Sequence, residues 1–143
     1  MPFDFRDDIA LADVAFDAWG ASLEELFREC AAALLRTMVA EPATVRRETA
    51  LPLELMDTDL EMLLFSFLQE LVFLKDARQL LVCAATLQIV EEDGHLKLSA
   101  LLHGEAIDRQ RHPLLVDVKA VTLHRFQIVQ DDSGWRATVV LDV

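Results

Sequence analysis

Residues 80–102 read LLVCAATLQIVEEDGHLKLSALL, two apolar runs interrupted at Asp93-Gly94. Both central positions of a tight type I′ turn need positive φ, which Asp-Gly supplies, so 80–90 and 96–102 are predicted to be paired antiparallel strands. Further on, 116–129 and 135–141 flank Asp131-Asp132-Ser133-Gly134 and predict a second hairpin. Upstream, the period changes. Leu23, Phe27, Cys30, Ala31, Leu34 and Met38 recur at three- and four-residue steps, which sets one buried stripe on a helix. Ser22 and Glu25 open it as a capping box, a hydroxyl and a carboxylate satisfying N–H groups that the first turn leaves unpaired. Glu41-Pro42 closes it, because the residue before a proline is pushed out of the helical region. A second helix is predicted from Asp57-Thr58-Asp59, with Thr58 and Glu61 as its capping box and acids in the first turn matching the helix dipole. Its body, 60–74, is apolar nearly all round and so belongs in the centre of the core. Strands are also predicted at 14–19, ending at Gly20, and at 45–55, where Pro52 restricts the strand to an edge or a bulge. The order is β-α-β-α-β-β-β-β. Helices in one half and hairpins in the other define an α+β domain over residues 1–143, two helices packed on a largely antiparallel sheet.

A chain of 143 residues with 53% hydrophobic content and a mean hydropathy of +0.27 is long enough to bury a core and is not disordered as a whole. Asp and Glu total 25 against 13 Lys and Arg, a formal net charge of −12. Nucleic-acid binders carry the opposite balance, since their affinity comes from neutralising phosphates, so direct nucleic-acid binding is not expected. An acidic surface suits a basic protein partner or cations, and equally plain solubility. No apolar run reaches the roughly 18 residues of a membrane span, so no membrane association is expected. The opening Met-Pro-Phe-Asp-Phe is acidic where a secretory signal is basic. Cys30 falls on the helical stripe and Cys83 inside a strand, where free cysteine acts as a small hydrophobe. The expectation is a cytoplasmic protein with reduced thiols.

No P-loop, dinucleotide fingerprint, HExxH, nucleophile elbow or CxxC is present. His95, His103, His112 and His124 lack the short spacing of a zinc site and read as surface or strand residues. Three features remain. Asp13 enters a strand between small and apolar neighbours, a setting in which a charge caps, pairs or binds. Lys119 sits in the apolar start of a strand and alternates away from Val118 and Ala120. The run from Trp135 to Leu141 ends in Asp142 and Val143, so a side-chain carboxylate and an α-carboxylate stand one residue apart. Along that strand Asp142 shares a face with Arg136 and Thr138, opposite to Trp135, Ala137, Val139 and Leu141. Taken alone, this ending is a solvated surface aspartate more readily than a pair of hard-cation ligands. The sequence does not establish that Asp13, Lys119 and Asp142 meet.

The segments Ala12-Asp13-Val14-Ala15-Phe16, Gly20 with Ser22-Leu23-Glu24-Glu25-Leu26-Phe27, and Asp59-Leu60-Glu61-Met62-Leu63-Leu64 come in a shared order with Gly104-Glu105, His112, Val118-Lys119-Ala120-Val121-Thr122-Leu123-His124, Gly134-Trp135-Arg136-Ala137 and Leu141-Asp142-Val143. In that order and spacing, over almost the whole length, the chain resembles the archease family. The resemblance implies a non-enzymatic accessory protein of the GTP-dependent, RtcB-type tRNA-splicing ligase, which promotes guanylylation of the ligase and its repeated turnover. It also implies the alternative of a chaperone or modulator of RNA-modifying enzymes such as tRNA methyltransferases. By the same resemblance, Asp13, Asp142 and the terminal Val143 match a divalent-metal site, assigned to calcium in the family, and Lys119 matches a lysine linked to activation.

The chemistry of the residues agrees with that implication. Two carboxylates and a terminal oxygen are hard ligands suited to Ca²⁺, Mg²⁺ or Mn²⁺, and a lysine is a compact point charge for a phosphate. One departure stands out: many archeases carry a histidine shortly before the aspartate, whereas this chain has none before His95. Asp8 stands near that position and is a further candidate ligand, as is His112. No nucleophile or general base is identifiable, which places a self-standing hydrolase last among the readings.

Overall fold

The computed structural model describes residues 2–6 and 13–143. Its elements are β1 (Phe3–Arg6), β2 (Asp13–Gly20), α1 (Leu23–Met38), a single 3₁₀ turn (Pro42–Thr44), β3 (Thr49–Asp57), α2 (Leu60–Arg78), β4 (Leu80–Glu92), β5 (His95–Ala106), β6 (Ala120–Asp131) and β7 (Gly134–Asp142). The predicted α+β order is present, preceded by the short strand β1. The strands form two antiparallel sheets, ordered β1-β2-β7-β6 and β3-β5-β4. Helix α1 packs on β2 and β4, one strand from each sheet, while α2 packs on β6, β4 and β3. The core between them is built from Phe16, Phe27, Leu63, Leu64, Phe67, Leu98, Leu102 and Leu141, all essentially without solvent contact. The Phe27 and Phe67 rings meet with centroids 5.6 Å apart, joining the two helices.

Local chemistry explains the boundaries. The Ser22 hydroxyl accepts the Glu25 N–H at 3.1 Å, and Glu25 returns a carboxylate oxygen to the Ala21 N–H at 3.2 Å, so the expected capping box closes one residue early. At α2 the cap is Asp59, whose carboxylate accepts the Glu61 N–H at 3.0 Å, and not Thr58. Asp57 in turn accepts the Asp59 N–H, and the Glu61 carboxylate is thereby free to accept the Ile128 N–H of β6 at 2.9 Å. Gln69, farther along α2, accepts the Val121 N–H at 2.6 Å. In the same way Glu24 of α1 accepts the Ile89 N–H of β4. β6 and β4 are both edge strands, and helix side chains satisfy donors that an open edge would expose. Because α2 lies along an edge, it is not enclosed on all sides as the apolar sequence predicts: Phe73 is 57% exposed. No helix among the described residues is long and apolar enough to cross a membrane.

The turns follow their sequences. Asp93 and Gly94 have φ of 52° and 78°, which is the type I′ hairpin. Pro52 lies in β3, at the edge of its sheet. β4 bulges at Cys83, and opposite the bulge a Cβ on Gly104 would stand 1.9 Å from the Leu81 carbonyl oxygen, so only glycine fits there. β6 departs most from expectation. It begins at Ala120 instead of 116, and Leu123 to Phe126 lie between the Thr122↔Val140 and Gln127↔Thr138 pairs, opposite Val139 alone. Arg125, at the crest of that irregularity, takes a left-handed φ of 53°.

Candidate functional site

Antiparallel pairing of β2 with β7 sets Asp13 directly opposite Asp142, at the end of both strands. From the other side β6 sets Ala120 opposite Asp142, and the Lys119 N–H donates to the Asp142 carbonyl at 2.8 Å. The β6–β7 hairpin and the sequence-distant strand β2 thus bring Asp13, Lys119, Asp142 and Val143 to one sheet end. Directly opposed residues of an antiparallel pair project to the same face with Cβ atoms about 4.5–5.5 Å apart, and like charges there repel. Both carboxylates are half-buried, and neither forms an ion pair or side-chain hydrogen bond among the described residues. Val143 packs its side chain against the core, which fixes its position next to Asp142. The Lys119 side chain is exposed.

The approach to Lys119 is held by a residue that sequence reasoning passes over. Lys75 of α2 is only 5% exposed, and its ammonium donates to Asp76, to Asp117 and, at 2.8 Å, to the Val118 carbonyl. Burial lowers the pKa of this amine, but the bonds to Asp117 and Asp76 more than reverse that effect, so it is raised overall and the cation is kept. Val118 is fully buried between these contacts and the sheet. Segment 107–119 is therefore tied down without being a strand, which is why β6 starts late. The available signal was a cation at the end of the otherwise apolar run Leu71-Val72-Phe73-Leu74.

His112 has a different place from the tip residues. It is 2% exposed; its Nδ1 accepts the Asp108 N–H at 2.9 Å and its Nε2 lies 2.7 Å from Glu105 Oε1. With Nδ1 accepting, Nε2 carries the proton and donates to the carboxylate. Glu105 also accepts the Arg46 N–H and pairs with Arg111, whose guanidinium holds the Glu105 carboxyl well below the usual carboxylate range. Both ring nitrogens of His112 are thus engaged within a lock that ties segment 107–119 to the end of β5. His95, His103 and His124 are spread over β5 and β6. Asp8 lies outside the described residues.

Among the described residues no three His, Cys, Asp or Glu side chains gather into a metal site. Among the described residues the tip offers two side-chain carboxylates, those of Asp13 and Asp142. This all-oxygen set fits a hard divalent cation and leaves coordination positions for water or a partner's groups. The donor chemistry fits such an ion.

Two helices laid across two antiparallel sheets, with paired acids and a lysine at one sheet end, define a small α+β protein that presents a carboxylate tip. The chain belongs to the archease family: the family model described as "Archease protein family (MTH1598/TM1083)" matches residues 3–143. It is 36% identical to an archease-like protein of Drosophila melanogaster over 146 aligned residues, covering 100% of this chain and 91% of the relative. It is 33% identical to the archease of Pyrococcus furiosus, covering 92% and 93% of the two chains. Its fold matches the solution structure of Methanobacterium thermoautotrophicum protein 1598 with a TM-score of 0.84 at 32% identity, over 99% of both chains. A Thermotoga maritima crystal structure described as "an archease, possible chaperone" matches in fold with a TM-score of 0.54 at 22% identity, over 96% of both.

Proposed function

We propose that this chain is a non-catalytic activator of a GTP-dependent RNA ligase of the RtcB type, acting through the Asp13–Asp142 tip. The observation that carries the reading is the register that opposes two unpaired carboxylates while the Lys119 N–H is bonded to the Asp142 carbonyl. Asp13, Asp142 and the Val143 carboxylate hold a divalent cation, calcium in the first instance, with magnesium or manganese served by the same oxygen donors. A cation bound there supplies positive charge to phosphate oxygens. Lys119, exposed beside the acids, adds a second positive charge for the phosphates of GTP or of the ligase-bound nucleotide. The tip enters the ligase's active site and orders these groups for attack by the ligase's own nucleophile, an electrostatic and conformational aid to a bond that the ligase makes. The test is the extent of GMP attachment to the ligase, with the parent protein and with Asp13→Ala, Asp142→Ala and Lys119→Ala. The parent is expected to promote attachment, and the two aspartate variants to lose that effect while melting near the parent temperature. Equal promotion by both aspartate variants contradicts the proposal.

A second reading, a chaperone-like modulator of an RNA-modifying enzyme such as a tRNA methyltransferase, is supported by the description of the Thermotoga protein and by the exposed Met56, Phe73 and Leu123. It predicts that stoichiometric protein suppresses light scattering by an aggregation-prone methyltransferase, and that tip substitutions leave this suppression intact.

A further inference from the structure

The Lys119 side chain is exposed and makes no ion pair or hydrogen bond among the described residues, so the backbone alone sets the direction in which it leaves the sheet end. That direction follows from the orientation of the planar peptide between Val118 and Lys119. Both poles of this peptide are held. Its N–H donates to the Asp142 carbonyl at 2.8 Å, and its carbonyl accepts from Lys75 Nζ, also at 2.8 Å. One amide group thus stands between the ammonium of α2 and the backbone of β7. Hydrogen bonds in such a chain polarise and strengthen one another, and the bond from Lys75 is charge-assisted.

The earlier part of segment 107–119 has holds of its own. The Leu115 N–H donates to the Met38 carbonyl and the Ala40 N–H to the Pro113 carbonyl, each at 2.8 Å, while Arg111 and His112 grip Glu105. Beyond Leu115 the chain surfaces at Val116 and Asp117, and Lys75 meets it again just before β6 begins. Of the three acceptors of Lys75, the Asp76 and Asp117 side chains reach solvent, at 53% and 70% exposure. These two acids would serve an amine held at the surface equally well. The third acceptor is the Val118 carbonyl, and reaching it takes the ammonium into a buried position at a desolvation cost that the acids offset. The buried bond therefore falls on the one peptide whose orientation aims Lys119.

We propose that Lys75 is a positioning residue of the tip: through the Val118–Lys119 peptide it fixes where the Lys119 ammonium stands relative to Asp142. Its bearing on ligase activation rests on the activator reading above, and its bearing on local geometry does not. Two measurements separate them. In amide exchange without ligase, the Lys119 rate is compared with that of Val121, whose N–H is bonded to the Gln69 side chain. The ratio of the two rates is expected to rise at least about tenfold in Lys75→Met. A general loss of stability quickens both amides and leaves the ratio unchanged. In GMP attachment to the ligase, Lys75→Met is expected to lower promotion at least about tenfold in the parent, as misplacement of a contributing group does. In a Lys119→Ala background the same substitution is expected to cost less than about twofold, because no ammonium is left to place. Lys75→Arg, which keeps a cation that donates to the carbonyl, is expected to recover most of both effects, and thermal melts establish that each variant is folded at the assay temperature. An unchanged exchange ratio in Lys75→Met overturns the proposal whether or not the ligase responds. So does an equal loss of promotion in both backgrounds, which marks Lys75 as support for the fold alone. A raised ratio with no promotion by the parent contradicts the activator reading and leaves the positioning by Lys75 standing.

Discussion

Replacing Asp13 by asparagine is expected to stabilise the metal-free protein and to abolish its response to calcium. Asp13 and Asp142 are register partners, half-buried and without compensating side-chain partners among the described residues. At about 5 Å the repulsion of two unit charges is about 1 kcal/mol with the dielectric constant of water and about 3 kcal/mol with an effective value near 20. Half-burial sets the pair between these limits, and rotation of the side chains away from each other brings the relief expected from Asp13→Asn to about 1 kcal/mol. For a chain of this size that corresponds to a melting temperature about 3 °C higher in EDTA. Calcium reverses the order. At 100 times the dissociation constant a ligand of the native state adds about 2.7 kcal/mol, so the parent rises by about 8 °C and overtakes a variant that has lost one of two side-chain ligands. Thermal melts of both proteins in EDTA and in a calcium series measure this directly. A variant destabilised in EDTA, or parallel calcium responses of the two proteins, refutes the reasoning that the opposed carboxylates form a cation site.

Lys75→Met leaves the Val118 carbonyl without its donor while Asp117 stays solvated, so a loss of about 1–2 kcal/mol in urea unfolding is expected. Amide exchange should quicken through segment 117–120, and unchanged stability and exchange would show that Lys75 is no anchor. The Glu105 carboxyl is depressed chiefly by Arg111, so its contribution is complete above the unfolded carboxylate value near 4.3 and is lost as pH falls from there toward its lower folded value. The stability gap between the parent and Glu105→Gln should therefore be constant from pH 7 to about 5 and narrow below about 4 in urea titrations. A gap that does not vary with pH counts against an ionised Glu105 in the His112 lock.

The sequence made the hairpins and helices legible because their signals are local. Asp93-Gly94 can only turn, and the 22–25 capping box and the α1 stripe are satisfied within a few residues. What it could not disclose depends on partners far along the chain. Glu61 has the spacing of a capping carboxylate, yet it reaches β6, because Asp59 already caps the helix and an edge strand needs an acceptor. The stretch 116–119 has strand composition, but Lys75 holds Asp117 and the Val118 carbonyl out of the sheet, just after the Leu115 N–H is taken by the Met38 carbonyl. His112 falls among the residues matched to the family and is spent on Glu105 and Asp108. Asp13, Lys119 and Asp142 each stand out in the sequence, but their meeting rests on the β2–β7 and β6–β7 registers. A slip of one residue would send Asp13 and Asp142 to opposite faces.

The central claim is that this protein lets an RNA ligase turn over repeatedly through its carboxylate tip. Multiple-turnover ligation by the cognate ligase, with GTP, divalent metal and a trace of this protein, tests it most directly. The account predicts many ligation events per ligase with the parent protein and a return to the unassisted level with Asp142→Ala. Turnover that is the same with and without the parent protein contradicts it.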